Sequence, residues 1–275
     1  MLNGDICIVG TVRNGGEGFK GTLSRILRLD ASSGVSQVII TTNDNQDETD
    51  QLLEEAANQS DVFQIVRLDG LINAYKNRVE RIAVARNFAL EKILLSEHTP
   101  KYTLVMDLDG VNDEFDILKV RKIIEKTTLD WDAITANQTE AYYDLYALRH
   151  PTWCPDDCWR ELENAKRRRF FKKKNIRLLR DEYIHNRQFK IPEDHSWIEV
   201  ESAFGGLAMY KTASLKGCWY SPRDSLGNLT CEHVVLHKQM IEKGRKIFIA
   251  PDLINKAPSE HLGPASGREF NLSKL

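Results

Sequence analysis

What is scarce in this chain narrows it first. No apolar run approaches the ~18 residues that would span a bilayer. The N-terminus has no basic stretch followed by an apolar core of the kind that directs secretion. The expectation is a cytoplasmic protein. Cysteine is sparse, and five residues, an odd number scattered through 275 positions, do not make a disulfide framework. Charge of one sign is also lacking: 38 Lys and Arg stand against 40 Asp and Glu, and a formal net charge of −2 gives no reason to expect nucleic acid as a partner. There are no internal repeats. What remains, 41% hydrophobic and 28% charged residues, is the composition of a globular protein long enough to bury a substantial core.

The most informative stretch is Lys101-Tyr-Thr-Leu-Val-Met-Asp-Leu-Asp-Gly110. Its apolar run predicts a buried strand, and the strand ends in two carboxylates one residue apart. In extended chain, residues i and i+2 point to the same side, so Asp107 and Asp109 are presented together where the strand leaves the sheet. Two such carboxylates repel unless a cation sits between them. A hard divalent ion, Mn²⁺ or Mg²⁺, takes oxygen ligands and leaves positions for phosphate oxygens. The bland alternative is a pair of acids opening a turn that Gly110 finishes.

Around it the chain alternates strands and helices. Asp5 to Val12 reads as a first strand, Arg13 to Gly18 as a glycine-rich turn, and Phe19 to Leu29 as a helix. Strand-to-helix turns are where α/β proteins expose backbone N–H groups to phosphates, although this turn is not GxGxxG. Gln37 to Thr42 and Val62 to Arg67 read as further strands around the helix Asp50 to Asn58, which Asp47 or Thr49 would cap. This spacing predicts an α/β fold with a doubly wound, mostly parallel central sheet flanked by helices, in a single domain, with ligands at the carboxyl ends of the strands. The helix Asn77 to Leu95 places Ile82, Ala85, Ala89 and Ile93 on its core stripe. Its Arg78, Arg81 and Arg86 are either solvated or turned toward phosphate.

Further along, Tyr142-Tyr-Asp-Leu-Tyr146 is a cluster of the kind that suits sugar rings, or ordinary core and surface aromatics. Cys154 and Cys158 lack a second pair and read as incidental rather than as a zinc site. Lys166 to Arg180 has nine basic residues interleaved with Phe170, Phe171, Ile176, Leu178 and Leu179, which is suited to an anionic membrane face, to a phosphate-bearing substrate or to a plain solvated face. Gly205 and Gly206 interrupt an apolar run and mark a bulge or a close ligand approach. Glu232 and His233 open a predicted helix, with His237 one turn beyond on the same side. A strand over Lys246 to Ala250 is expected to stop at Pro251, followed by a loose polar tail or flap.

In this order the segments resemble a glycosyltransferase of the GT-A fold. Cys231 to Pro251 looks like the acid-bearing helix and Gly-x-Lys-Ile region of the large inverting family. Val84-Ala-Arg-Asn-Phe-Ala-Leu90, Tyr102 to Asp109 and Tyr143 to Arg149 look more like the capsule-associated mannosyltransferase group. The resemblance implies transfer of a sugar from a nucleoside diphosphate sugar, of UDP or GDP type, to a hydroxyl of a glycan or lipid-linked acceptor. By it, residues 1–110 would form the nucleotide-sugar half, 111–255 the acceptor half and 256–275 a tail. Asp107 and Asp109 would hold Mn²⁺ or Mg²⁺, with His237 completing the metal site, and Asp107, Leu108 and Asp109 would meet the diphosphate. Thr11, Val12, Arg13, Asn14, Arg86, Gly205 and Gly206 would hold the nucleotide sugar. Glu232 or His233 would be the base; His233 stands where the inverting family carries a second acid, and a retaining route would need no such base. Lys166 to Arg180 would bring the enzyme to the inner membrane face. Two alternatives stand beside this: a haloacid-dehalogenase-type phosphatase with Asp107 as nucleophile, and a non-catalytic sugar- or nucleotide-binding protein.

Overall fold

The computed structural model describes residues 4–29, 31–168 and 173–269. Strand β1 (Ile6–Val12) leads to α1 (Gly16–Leu27), β2 (Val35–Thr42), α2 (Thr49–Gln59), β3 (Phe63–Arg67), the short α3 (Leu71–Ala74) and the long α4 (Arg78–Leu94). Then come β4 (Tyr102–Asp107), α5 (Ile117–Lys126), β5 (Ala133–Gln138), α6 (Cys158–Arg168), α7 (Lys173–Tyr183), β6 (Phe189–Lys190) and β7 (Ile198–Val200). The chain closes with β8 (Leu207–Lys211), α8 (Glu232–Glu242), β9 (Ile247–Asn255) and β10 (Arg268–Glu269).

Eight strands form one sheet in the order β3-β2-β1-β4-β8-β5-β9-β7, and β10 pairs with β6 apart from it. β3, β2, β1 and β4 run parallel, as do β5 and β9. β8 is antiparallel to both its neighbours, and β7 is antiparallel to β9. The mostly parallel, doubly wound architecture expected from the sequence is the one observed.

The sheet buries both faces, and strand alternation decides which side chains go where. On β1, Ile6 and Ile8 join the core beneath α1, α2 and α5, while Cys7 and Val9 join the core beneath α4 and α8. On β4, Leu104 and Met106 belong with α1 and α5, and Val105 with α4. The parity therefore points Asp107 to the face that α4 and α8 cover. Each fully buried aliphatic side chain in these two layers contributes roughly 1.5–3 kcal/mol, so the alternation locks the register that aims Asp107.

Three boundaries differ from the sequence reading. α1 starts at Gly16 rather than Phe19, because Asp47 Oδ2 accepts from Gly16 N–H and begins the helix early. β9 runs through Pro251: the register jumps from Ala136↔Ala250 to Asn137↔Ile254, and Asn137 Nδ2 donates to Pro251 O across the bulge at 3.0 Å. A bulge tolerates the missing proline N–H. The tail folds back as far as it is described: Gln188 Nε2 donates to His261 O at 2.9 Å, and the Tyr143 and His261 rings stack.

Candidate active site

β1 and β4 are register partners up to Thr11↔Asp107, so the β1–α1 turn and the two aspartates open at the same end of the sheet. Over them lies the first half of α4, started by a capping box between Asn77 and Glu80. Between the two is a cleft of about 260 Å³ lined by residues 11–15, Asn43, Arg78, Arg81, Ile82, Ala85, Arg86 and residues 107–109. Thr11, Val12, Arg13, Asn14, Arg86, Asp107, Leu108 and Asp109 are thus brought together.

The backbone of the turn is not open as expected. Asn14 N–H donates to Asn45 Oδ1, Gly15 N–H to Thr49 Oγ1 and Gly16 N–H to Asp47 Oδ2, at 2.8, 2.9 and 3.2 Å. The polar loop after β2 has taken these donors. The donors this end of the sheet offers a ligand are side chains, chiefly the arginines of the turn and of α4.

Arg86 is the hub. It is 4% exposed, donates from Nε to Glu232 Oε1 and from Nη2 to Asp107 Oδ1, both at 3.0 Å, and stacks over Phe204 with its guanidinium carbon 5.0 Å from the ring centre. Its buried Nη1 has no partner among the described residues. Burial works against its charge, but Glu232 and Asp107 outweigh that and keep it protonated. Against this one cation stand several carboxylates. Burial pushes Asp107 up to about 7; Arg86 opposes the shift, and Asp109, Asp144 and Glu232 add to it. The Asp107 side chain is still one-third exposed into the cleft, so a ligand can reach it.

Two carboxylates on an open cleft, one of them driven toward protonation by burial with its acidic neighbours adding to it, fit a divalent cation that shares its remaining positions with a diphosphate. A three-residue protein cage is not formed: among the described residues, no group of three or more His, Cys, Asp or Glu is arranged to hold a metal. His237, expected as the third ligand, is fully buried with Tyr210 Oη 2.8 Å from Nε2 and Ser202 Oγ 2.9 Å from Nδ1. Both ring nitrogens are used in the core, and burial lowers its pKa to about 3.

Glu232 is the first residue of α8 and shares Arg86 with Asp107, so the two ends of the site are joined by one guanidinium. His233 is 1% exposed, stacked on Phe204 and edge-on to Tyr220. Its Nε2 lies 3.7 Å from Glu232 Oε1 and has no hydrogen-bond partner among the described residues. Burial, with help from Arg86 and His237, holds it neutral.

Gly205 and Gly206 have φ of +65° and +81°, and their backbone is what the site uses. Gly206 O accepts from Asp107 N–H at 2.8 Å, while Gly205 N–H donates to Asp144 Oδ2 at 3.0 Å. Asp144 and Asn43 were not assigned to the site from sequence. Asn43 follows β2 directly and lines the cleft through strand order alone. Asp144 was visible only as one acid in an aromatic cluster, and the donor that fixes it lies 61 residues away.

No protein-family model matches this chain, and no curated protein matches it. Solved structures do resemble it. A mannosyltransferase from Pyrobaculum calidifontis in complex with GDP-Man and Mn²⁺ aligns with a TM-score of 0.53 at 11% identity, over 92% of this chain and 56% of that one. S. aureus TarS 1–349 in complex with UDP-GlcNAc aligns with a TM-score of 0.51 at 12% identity, over 94% and 60%. The chain therefore spans less than two thirds of the proteins it resembles, and the likeness establishes the GT-A fold.

Proposed function

We propose that this protein is a glycosyltransferase that moves a sugar from a nucleoside diphosphate sugar to a hydroxyl of a glycan or lipid-linked acceptor. The observation that carries this is Arg86: a buried guanidinium beside a cleft at the strand ends, holding the DxD carboxylate and the acid of α8 at once. The cleft beside it sets Arg13, Arg78 and Arg81 against Asp107 and Asp109, a pattern that suits an anion and a cation together, and a metal-bound diphosphate supplies the two. The neighbours solved with GDP-Man and Mn²⁺ and with UDP-GlcNAc support the same class of donor.

In this reading residues 1–110 hold the nucleotide, with Thr11 to Asn14, Asn43 and the arginines of α4 around it, and residues 111–255 hold the acceptor. Asp107 and Asp109 hold Mn²⁺ or Mg²⁺, which when bound offsets the charge that develops on the leaving diphosphate. Glu232 takes the proton of the attacking hydroxyl as the new bond to the anomeric carbon forms and the bond to the diphosphate oxygen breaks. Glu232 is preferred to His233, whose ring is sealed between Phe204 and Tyr220. His233 then acts as a neutral wall against Glu232.

The phosphatase alternative loses ground because the topology is GT-A, with three parallel strands ahead of the one that carries Asp107. The basic segment 166–180 is proposed to meet anionic lipid. Residues 169–172, with Phe170 and Phe171, lie outside the described residues, but on α7 Ile176, Arg177, Leu178 and Arg180 are exposed together while Leu179 anchors the helix in the core.

The test is a thermal-shift panel of UDP-, GDP- and CMP-sugars with Mn²⁺, followed by turnover of the best donor. A glycosyltransferase stabilises selectively with one nucleotide and loses turnover in Glu232→Gln while keeping donor binding. Equal response to all three contradicts the assignment, while full turnover in that variant removes Glu232 from the mechanism.

A further inference from the structure

Asp144 has no role in the reading above, yet it is held as firmly as any residue in the site. Gly205 N–H donates to its Oδ2 at 3.0 Å and Ala147 N–H to its Oδ1 at 3.4 Å. The Gly205–Gly206 turn that makes the first of these bonds also accepts from Asp107 N–H through Gly206 O, so one short piece of backbone fixes Asp144 relative to the DxD. The turn is itself clamped, since Asn112 Nδ2 donates to Gly206 O and to Asp107 O, both at 2.8 Å. A side chain at Gly205 would run into Gln138 and the Ala136 carbonyl, which explains why this turn is built from glycine.

Asp144 is half-buried and close enough to Glu232 and Arg86 for their charges to act on it. Beside it Tyr143 is braced face-to-face against His261, ring centres 5.1 Å apart, with its hydroxyl within the field of Asp144, Asp107 and Asp109. No cationic side chain forms an ion pair with Asp144 among the described residues, and each of its oxygens keeps a lone pair after serving one backbone N–H. A fixed carboxylate outside any ion pair, next in the chain to an aromatic residue and within the field of both Asp107 and Glu232, has the chemistry that recognises a pyranose. The carboxylate accepts from hydroxyls and the ring covers an apolar face.

We propose that Asp144 reads the hydroxyl groups of the transferred sugar, and that Tyr143 walls the same subsite. This rests on the glycosyltransferase reading, because it is that reading which places a sugar next to the diphosphate. Asp144 is then a specificity-determining residue: it discriminates among donors sharing a nucleotide, and does nothing for the nucleotide itself.

The experiment compares, by calorimetry with Mn²⁺, the affinity of the free nucleoside diphosphates GDP and UDP with that of GDP-mannose and UDP-N-acetylglucosamine, in the wild type and in Asp144→Asn. The expected result is that one nucleotide sugar binds more tightly than its own diphosphate. Asp144→Asn should erase roughly tenfold or more of that gain, as loss of a hydrogen bond to a charged group does, while diphosphate affinity stays as in the wild type. A second arm needs no variant: donors lacking single hydroxyls, measured on the wild type, should lose the same gain at one or two positions of the ring. If neither diphosphate binds, the glycosyltransferase reading itself falls and this inference with it. If a diphosphate binds but its sugar adds nothing, or Asp144→Asn keeps the gain, or every deoxy donor binds like its parent, this inference alone is overturned.

Discussion

Asp107 and Glu232 are joined through a single side chain: Arg86 donates to each at 3.0 Å, Nη2 to the first and Nε to the second. The two carboxylates come from strand β4 and helix α8, 125 positions apart, and the arginine from α4, ahead of both in sequence. Replacing Arg86 leaves buried Glu232 without its counter-charge, which costs about 3–5 kcal/mol for a pair of this kind. Arg86→Ala is therefore expected to lower the free energy of unfolding by that amount, read from the denaturant midpoint, and to abolish turnover. Arg86→Lys should recover part of the stability, since an ammonium meets one carboxylate well, and little of the turnover, since it lacks the planar fork that spans two. Chemical denaturation of both variants checks this.

The buried histidines give a pH dependence whose sign is fixed. His237 has its pKa lowered by burial from 6.5 to about 3. Between those values the unfolded chain binds more protons than the folded one, so its contribution to stability is complete above about 6.5 and is lost as pH falls toward 3, at roughly 1.4 kcal/mol per pH unit. Asp107 runs the other way: its pKa is raised to about 7, so its contribution is complete below 3.8 and declines as pH rises to 7. The opposing slopes partly cancel in the wild type, and the difference from a variant separates them. His237→Gln should be less stable than wild type at pH 7, with the gap narrowing steadily as pH is lowered to 5; a gap that stays constant would contradict the assignment of a neutral, buried ring.

The glycine pair is expected to be intolerant. A methyl at Gly206 would press on Val111 Cγ2 in a backbone of φ +81°. Gly206→Ala should cost on the order of 1–3 kcal/mol and misplace the Asp107 amide that its carbonyl accepts from. Thermal melting with and without nucleotide separates the two effects: the loss in melting temperature appears in both, and the loss of nucleotide stabilisation only where the site has moved.

Exposed Ile176 and Leu178 next to Arg177 and Arg180 predict binding to anionic vesicles at low salt that falls away as salt is raised. Arg177→Glu with Arg180→Glu should weaken it, each charge near the surface being worth about 1 kcal/mol. Co-sedimentation that is unaffected by salt or by these changes would rule out an electrostatic attachment.

Much of this was legible in the sequence because the signals were local. Strand alternation placed Asp107 and Asp109 at the end of a buried strand, and helical periodicity put Arg86 on a helix with a core stripe. Proximity in three dimensions was not legible. Nothing in Tyr142 to Tyr146 announces that Asp144 will be gripped by Gly205, and nothing near Arg13 announces that Asn45, Asp47 and Thr49 will take the turn's amides. His237 was misjudged for the same reason: its spacing from His233 is right for one helix face, but that face is the core, where Tyr210 and Ser202 satisfy it. Pro251 reads locally as a stop, and only the pairing with β5 reveals the bulge that carries β9 past it.

The central claim is that Asp107 and Asp109 hold a divalent ion that completes itself on a nucleoside diphosphate. Calorimetric titration of GDP and of UDP into the protein, with Mn²⁺ and again with chelator, tests it directly, with Asp109→Ala measured in parallel. The account predicts that one nucleotide binds in Mn²⁺, and that its binding is lost with chelator and in Asp109→Ala although the variant melts like the wild type. Unchanged nucleotide affinity in chelator, or in Asp109→Ala, would contradict it.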